Sequence, residues 1–263
     1  MSLFKHCTES FYPVYVDNPV DIRTRYIFVS EHPAVSEALR AVECRYDPAA
    51  LTKSNLLEIW EDDSGSTFSF NTKFLATLFW GHIFPVNLRR ILNDPDYYTK
   101  LNGIQSALLS FLDNNGPHPY DRIRSLYSRL ETGDLSFKGM GVAFFTKLFF
   151  FFFATHRTLF SENGTLPVIA DVWMRKALYA EMAEEFPKML SEVFRPGTRN
   201  PCGFRYRDGD SSQAYYDFLK VFDIQKNLLA HSFEGLDSLR LEGYLFASKD
   251  AVQQAYLRAL RIR

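Results

Sequence analysis

The sequence predicts a mainly α fold with a small β element near the amino end, and three observations carry that prediction. From residue 51 onward, apolar residues recur at helical spacing. Glycine- and proline-rich breakers divide these stretches into segments of helix length. The composition, 46% hydrophobic with 25 Phe and 14 Tyr, supplies a large buried core, and 23% charged residues is too ordinary for a disordered chain. A length of 263 residues suits one domain over 1–263, built as two lobes flanking an active-site cleft.

The elements follow in order, with no internal repeat. The first fifty residues hold a β-like piece, Tyr26 to Ser30 (YIFVS), and a helix over Ala34 to Val42. Leu51 to Trp60 and Phe70 to Trp80 carry apolar residues at helical spacing. Asp96 to Leu112 and His118 to Glu131 form two more helices, separated by the breaker Asn114-Asn115-Gly116-Pro117. A glycine-punctuated turn, Leu135 to Gly141, leads into an aromatic helix from Val142 to Thr158. After a loop at Ser161 to Thr165 comes Pro167, then a helix from Asp171 through Phe186. Phe194 to Ser212, rich in Gly, Pro, Arg and Asp, is a loop, and two helices close the chain, Ala214 to Leu229 and Ala251 to Arg261.

Charge and motif content narrow the function classes. A formal net charge of −1 argues against a protein that coats nucleic acid through bulk charge, so any electrostatic footprint is local. Cys7, Cys44 and Cys202 lie far apart, which predicts a reducing cytoplasm, no disulfide framework and no four-thiolate iron–sulfur cluster. His6, His32, His82, His118, His156 and His231 show no metal-ligand spacing, and neither a Walker nor a dinucleotide glycine signature occurs, so no metal and no cofactor are expected. The most apolar run, Leu148 to Ala154 (LFFFFFA), is far short of the roughly 20 residues that span a bilayer. The amino terminus also lacks an apolar stretch of signal-peptide length, and no membrane partner is expected.

Chemistry concentrates in residues 136–178. Gly139-Met140-Gly141 directly precedes the apolar helix, and two glycines so spaced turn the chain sharply and expose amides at the helix's positive end. Such a pair also occurs in turns that bind nothing. Lys147 interrupts an apolar helix between Phe145 and the Phe149 to Phe153 run, where an ammonium needs a partner or a lowered pKa, and a lysine in such a pocket can act as an amine nucleophile. Asp171 follows the apolar segment Pro167-Val-Ile-Ala170, a place that suits a helix cap and also a catalytic carboxylate.

A G-x-G hairpin, a helix and then Ala170-Asp171-Val172-Trp173-Met174 together resemble the helix-hairpin-helix DNA glycosylases, whose last segment reads V-D-V-H-M or similar. More narrowly, F-K-G-x-G-x-A-F-F-T-K, beginning at Phe137, resembles a bacterial group with an 8-oxoguanine-glycosylase-like fold, some of whose members are associated with phage defence. Trp80-Gly81 with Asn87-Leu-Arg-Arg90 is similar to that group's W-G…N-x-R segment. Tyr215-Tyr216 with Glu242-Gly-Tyr-Leu-Phe246 is similar to its closing Y…E-x-x-L-F pattern. The resemblance covers roughly residues 70–246 and implies a two-lobed helical fold of the helix-hairpin-helix glycosylase kind.

It also implies residue roles. Asp171 matches the Asp that stabilises positive charge on the sugar as the base leaves. Gly139 and Gly141, with Val142 beside them, match the hairpin that holds a phosphate. Bifunctional relatives place their lysine two residues after the second glycine, where this chain has Ala143. Lys147 lies four residues further, on the same helix face, which leaves either a displaced Schiff-base lysine or a water-using enzyme.

Phe144, Phe145 and the Phe149 to Phe153 run read first as core packing, while Trp80, Trp173 and also Phe144 are candidates for the slot that stacks on a displaced base. Arg205 and Arg207, interleaved with aromatics in the 194–212 loop, and Arg89 and Arg90 are candidates for phosphate contact, with solvated surface as the plain alternative. The expected partner is double-stranded DNA carrying a modified base, bound by a monomer in a bacterial cytoplasm with access to the nucleoid. The expected activity is N-glycosidic cleavage that leaves an abasic site. Its target is a modified base of phage DNA such as glucosylated hydroxymethylcytosine, with oxidised guanine as the alternative. A non-catalytic DNA-binding module and a helical interaction protein are the rival classes.

Overall fold

The computed structural model describes residues 2–12, 19–62, 67–112, 119–156, 166–207 and 209–261. Among these the chain forms fourteen α-helices and no strand. Helix α1 (Leu3–Phe11) starts at Ser2, whose hydroxyl accepts from the Lys5 amide. Helix α2 (Ile22–Tyr26) is capped by Asp21 and runs into a 3-10 turn at Ile27–Val29. Helix α3 (Pro33–Glu43) begins on proline, which suits a first turn because the missing N–H would have no partner there. Helix α4 (Lys53–Glu61) opens with a capping box between Thr52 and Asn55, and α5 (Phe70–Trp80) with Ser69 accepting from the Thr72 amide.

Helix α6 (Pro85–Leu92) again begins on proline, and α7 (Tyr97–Leu109) tightens into a 3-10 turn at Ser110–Leu112. Then come α8 (Pro119–Glu131) and α9 (Val142–Thr155), the latter apolar all round and buried from Phe145 to Ala154. The remainder is α10 (Val172–Glu185), α11 (Pro187–Val193), α12 (Ser212–Ala230), α13 (Ser238–Ala247) and α14 (Lys249–Arg261). Among the described residues no helix is long and apolar enough to cross a membrane.

The expected β element is corrected. Tyr26 to Ser30 closes α2 and the following turn, and only an isolated bridge, Val20 with Leu51, lies nearby. The buried residues here are Ile22, Tyr26 and Val29, a helical interval, while Ile27 and Phe28 face outward. Tyr26 stacks on Phe79 with centroids 4.4 Å apart, and its hydroxyl sits 3.2 Å from the carbonyls of both Phe79 and Ile83. Packing on α5 therefore overrides the strand preference of a β-branched, aromatic run.

Other boundaries also move. The Asp96 to Leu112 helix becomes α7 plus its 3-10 turn, and three closing helices replace two because α13 separates α12 from α14. The 194–212 loop is stitched by antiparallel bridges, Phe194 with Phe204 and Arg207 with Asp210. The breaker at 114–117, the loop at 161–165 and Thr158 lie outside the described residues.

The chain divides into two compact units. The first gathers residues 1–15, 117–128 and 160–263, and in it α10 packs against α1, α11, α13 and α14. The second gathers residues 16–116 and 129–159, with α9 packed against α4 and α5, and α5 against α3.

Candidate functional site

In the second unit the chain leaves α8 through a tight turn. Arg129 donates twice to Asp134, at 2.9 and 2.7 Å, and the Leu135 amide donates to the Arg129 carbonyl. A β-carbon at Gly133 would come within 2.7 Å of the Arg129 backbone, so only glycine lets the turn close there. Gly139 then takes φ +103°, the left-handed region that glycine tolerates, and a β-carbon on it would meet the Asn87 side chain at 3.1 Å.

Gly141 is different. Its φ of −82° and ψ of 174° suit any residue, and a β-carbon on it would meet nothing within 4 Å. No side chain caps α9, and among the described residues no acceptor meets the amides of Gly141, Val142 or Ala143. These amides stand at the positive end of a fourteen-residue helix, with Gly141 exposed and Val142 and Ala143 half-buried. A depression of about 650 Å³ runs alongside, bordered by Gly139, Gly141, Phe144, Lys138, Asn87 and Phe84.

Lys147 is only 7% exposed. Its ammonium donates to the Ala143 carbonyl at 3.0 Å and stands 5.5 Å from the Phe144 ring centre. The i, i+4 relation thus brings the lysine head back to Ala143, one turn nearer the hairpin. Gly81 gives the stem its room, since a β-carbon there would come within 2.9 Å of Lys147 Cδ and 3.1 Å of Cε.

The W-G…N-x-R segment now has a physical account. Trp80 lies edge-on to Phe151 at 5.5 Å, its buried indole N–H has no hydrogen-bond partner among the described residues, and Gly81 underlies Lys147. Asn87 packs on Gly139, and the Arg89 guanidinium lies over Phe28 at 5.2 Å. Arg89 and Arg90 are both exposed. The loop between α5 and α6 is held firmly, with His82 at φ +59° and Tyr26 against its carbonyls. It presents Phe84 at 68% exposure on the rim of the depression. Sequence reasoning passes over Phe84. The Phe-Pro step at a helix start was its visible signal, but exposure cannot be read from it.

In the first unit, Leu166 to Ala170 is buried and lies outside any helix or strand, and it delivers Asp171, whose backbone is extended, as the cap of α10. Asp171 Oδ1 accepts from the amides of Trp173 and Met174, both at 2.9 Å. Oδ2 makes no hydrogen bond among the described residues. The acid is half-buried, with one oxygen held and the other directed elsewhere. Trp173, expected to stack on a base, carries the Lys176 ammonium 4.6 Å from its ring and that of Lys249 at 6.0 Å.

The arginines of the 194–212 loop are engaged locally. Arg205 donates to the Ser191 carbonyl at 2.7 Å, and Arg207 pairs with the Glu192 carboxylate. Phe145 and Phe149 to Phe153 are buried core, whereas Phe144 is half-exposed beside the hairpin. Lys147 and the hairpin belong to the second unit and Asp171 to the first. Among the described residues no group of three His, Cys, Asp or Glu could hold a metal ion.

No curated protein and no solved structure matches the chain. One protein family does, over residues 25–246, a span that includes the hairpin, Lys147, Asp171 and both flanking motifs. The chain therefore belongs to the family described as "Putative 8-oxoguanine DNA glycosylase OGG-like protein".

Proposed function

We propose that the chain removes a modified base from duplex DNA by cleaving its N-glycosidic bond, leaving an abasic site. The observation that carries this reading is the state of Asp171, fixed through Oδ1 by two amides with Oδ2 unengaged. As the bond breaks, its electron pair leaves with the base, and positive charge develops on the sugar ring. A carboxylate already oriented by its own helix stabilises that charge without reorganising. Water, or the neutral Lys147 amine in a lyase variant of the reaction, then bonds to the sugar carbon, and the proton it releases goes to the departed base.

The amides at Gly141, Val142 and Ala143 suit a DNA phosphate, the anion that a helix start binds best. Arg89 and Arg90 add exposed positive charge on the same unit. The protein acts as a monomer in the bacterial cytoplasm and displaces its target nucleotide from the stack.

Its target, in this reading, is a modified base of invading phage DNA such as glucosylated hydroxymethylcytosine. Support comes from the F-K-G-x-G-x-A-F-F-T-K resemblance to the bacterial group associated with phage defence. Oxidised guanine is the second reading, favoured by the family's description.

One experiment separates them. Purified protein is incubated with an oxoguanine duplex, other damaged duplexes, and phage DNA with plain or glucosylated cytosines, and alkali-labile sites are scored. Asp171-dependent cleavage confined to glucosylated DNA supports the phage reading, and cleavage confined to the oxoguanine duplex replaces it with repair. Duplex binding without abasic sites on any substrate leaves a non-catalytic binding module. Borohydride trapping, present in the parent and absent in Lys147→Ala, assigns the lyase step.

A further inference from the structure

We propose that Tyr215 is a positioning residue for Asp171, tethering the buried segment that delivers the acid. This inference rests on the glycosylase reading. The Tyr215 hydroxyl donates to the Val168 carbonyl at 3.0 Å, three residues before Asp171. The tyrosine is fully buried on α12, so its ring has a single packed environment. Tyr127 stacks on it with centroids 4.9 Å apart and planes at 24°, and the Tyr127 hydroxyl is itself paired with Ser211 at 2.7 Å, at the start of α12. Phe204 and Phe218 close the remaining sides at 6.1 Å each. Burial holds the phenol well above its ordinary range, so it stays a donor across the working pH.

Leu166 to Ala170 is the segment that this anchor fixes at Val168. It belongs to no helix or strand, so no ladder of backbone hydrogen bonds runs along it, and it enters α10 directly at the capping residue. The amides of Trp173 and Met174 hold the Asp171 carboxylate from the helix side. Tyr215 holds the backbone from the other side, and together they set where Oδ2 points. This also assigns work to the hydroxyl of the tyrosine in the closing Y…E-x-x-L-F pattern, whose ring packs in the core.

The test is Tyr215→Phe, which removes one oxygen and leaves the ring stack. Tyr127→Phe is the control, because it removes a buried hydroxyl of equal size that pairs with Ser211. We expect single-turnover excision to fall about tenfold in Tyr215→Phe, short of the roughly hundredfold that a misplacement of about 1 Å can cause. Duplex affinity stays at the parent value, and Tyr127→Phe keeps the parent rate. In an Asp171→Asn background the Tyr215 change adds no further loss, as two residues acting through one group require.

Amide hydrogen exchange gives a readout independent of activity. Trp173 and Met174 exchange faster in Tyr215→Phe, while Leu178 and Tyr179 on the same helix do not. Uniform acceleration along α10, or no change at Trp173 and Met174, overturns the tether. So does a rate loss that persists in the Asp171→Asn background or appears equally in Tyr127→Phe. A parent protein that cleaves no substrate refutes the glycosylase reading instead, and the exchange pattern still decides whether Tyr215 fixes the segment.

Discussion

Two helix starts in this molecule use the same physics in opposite ways. Helix α10 is closed by its own acid, with Asp171 Oδ1 taking the amides of Trp173 and Met174. Helix α9 is left open, with no side-chain cap on Gly141 and the first amides unpaired among the described residues. Capping by Asp stabilises a helix by about 1 kcal/mol, so a bare, exposed start forgoes stability. The difference teaches that the first start orients a carboxylate, while the second keeps its positive end available to an anion from outside.

The largest expected effect follows from the closed start. Asp171→Asn keeps an equally good cap, so the thermal midpoint should stay within a degree or two. Excision should nevertheless fall by on the order of a hundredfold to a thousandfold, since the charge that offsets the sugar cation is gone. A variant that melts early and loses rate in proportion would show that the acid matters only as a cap.

Next comes the lysine beside the open start. Gly81→Ala forces the Lys147 stem to move, because the new methyl would sit 2.9 Å from Cδ. Single-turnover excision should drop roughly tenfold if Lys147 lines the working site. A rate unchanged in both Gly81→Ala and Lys147→Ala would reduce that lysine to a packing role.

The open start itself can be made to imitate the closed one. Gly141→Asp supplies the missing cap and should leave stability level or slightly raised, while duplex binding falls by more than tenfold through repulsion of the phosphate. Gly141→Ala is the milder version. Its methyl crowds the approach of the phosphate to the amides, at the expense of one charge-assisted hydrogen bond of about 1.5 kcal/mol, or about tenfold in affinity, with no change in melting. Gly139→Ala does the reverse, because φ +103° strains any other residue. It should cost roughly 1–3 kcal/mol of stability. Isothermal binding and melting curves on the three variants separate the two glycines.

The smallest effect belongs to the exposed arginines. Arg89→Ala and Arg90→Ala should each weaken binding alike across sequences and lower the logarithmic salt slope by about 1.

Much of the framework was legible before any coordinates. Helix α5 runs from Phe70 to Trp80 as its periodicity predicts, and α10 starts one residue after Asp171 because a capping acid before an apolar run is a local signal. Helices α6 and α11 are short and start on proline, which reads as a breaker until packing is known. Tyr26 to Ser30 misleads because its residue types favour strands, whereas contact with Phe79, more than fifty residues away, decides the outcome. The same distance hides why Gly81 must be glycine, since its constraint is the stem of Lys147. Arg207 and its partner Glu192 are only 15 residues apart, and here the pairing is hidden because Glu192 lies on a helix that the sequence does not announce.

The most direct test of the account is abasic-site formation under single turnover by parent and Asp171→Asn protein on the duplex that the substrate panel selects, with affinity measured alongside. The account predicts equal affinity for both proteins and abasic sites forming on the order of a hundredfold to a thousandfold more slowly with Asp171→Asn. Equal cleavage by the two, or binding without cleavage by the parent on every modified duplex, would contradict it.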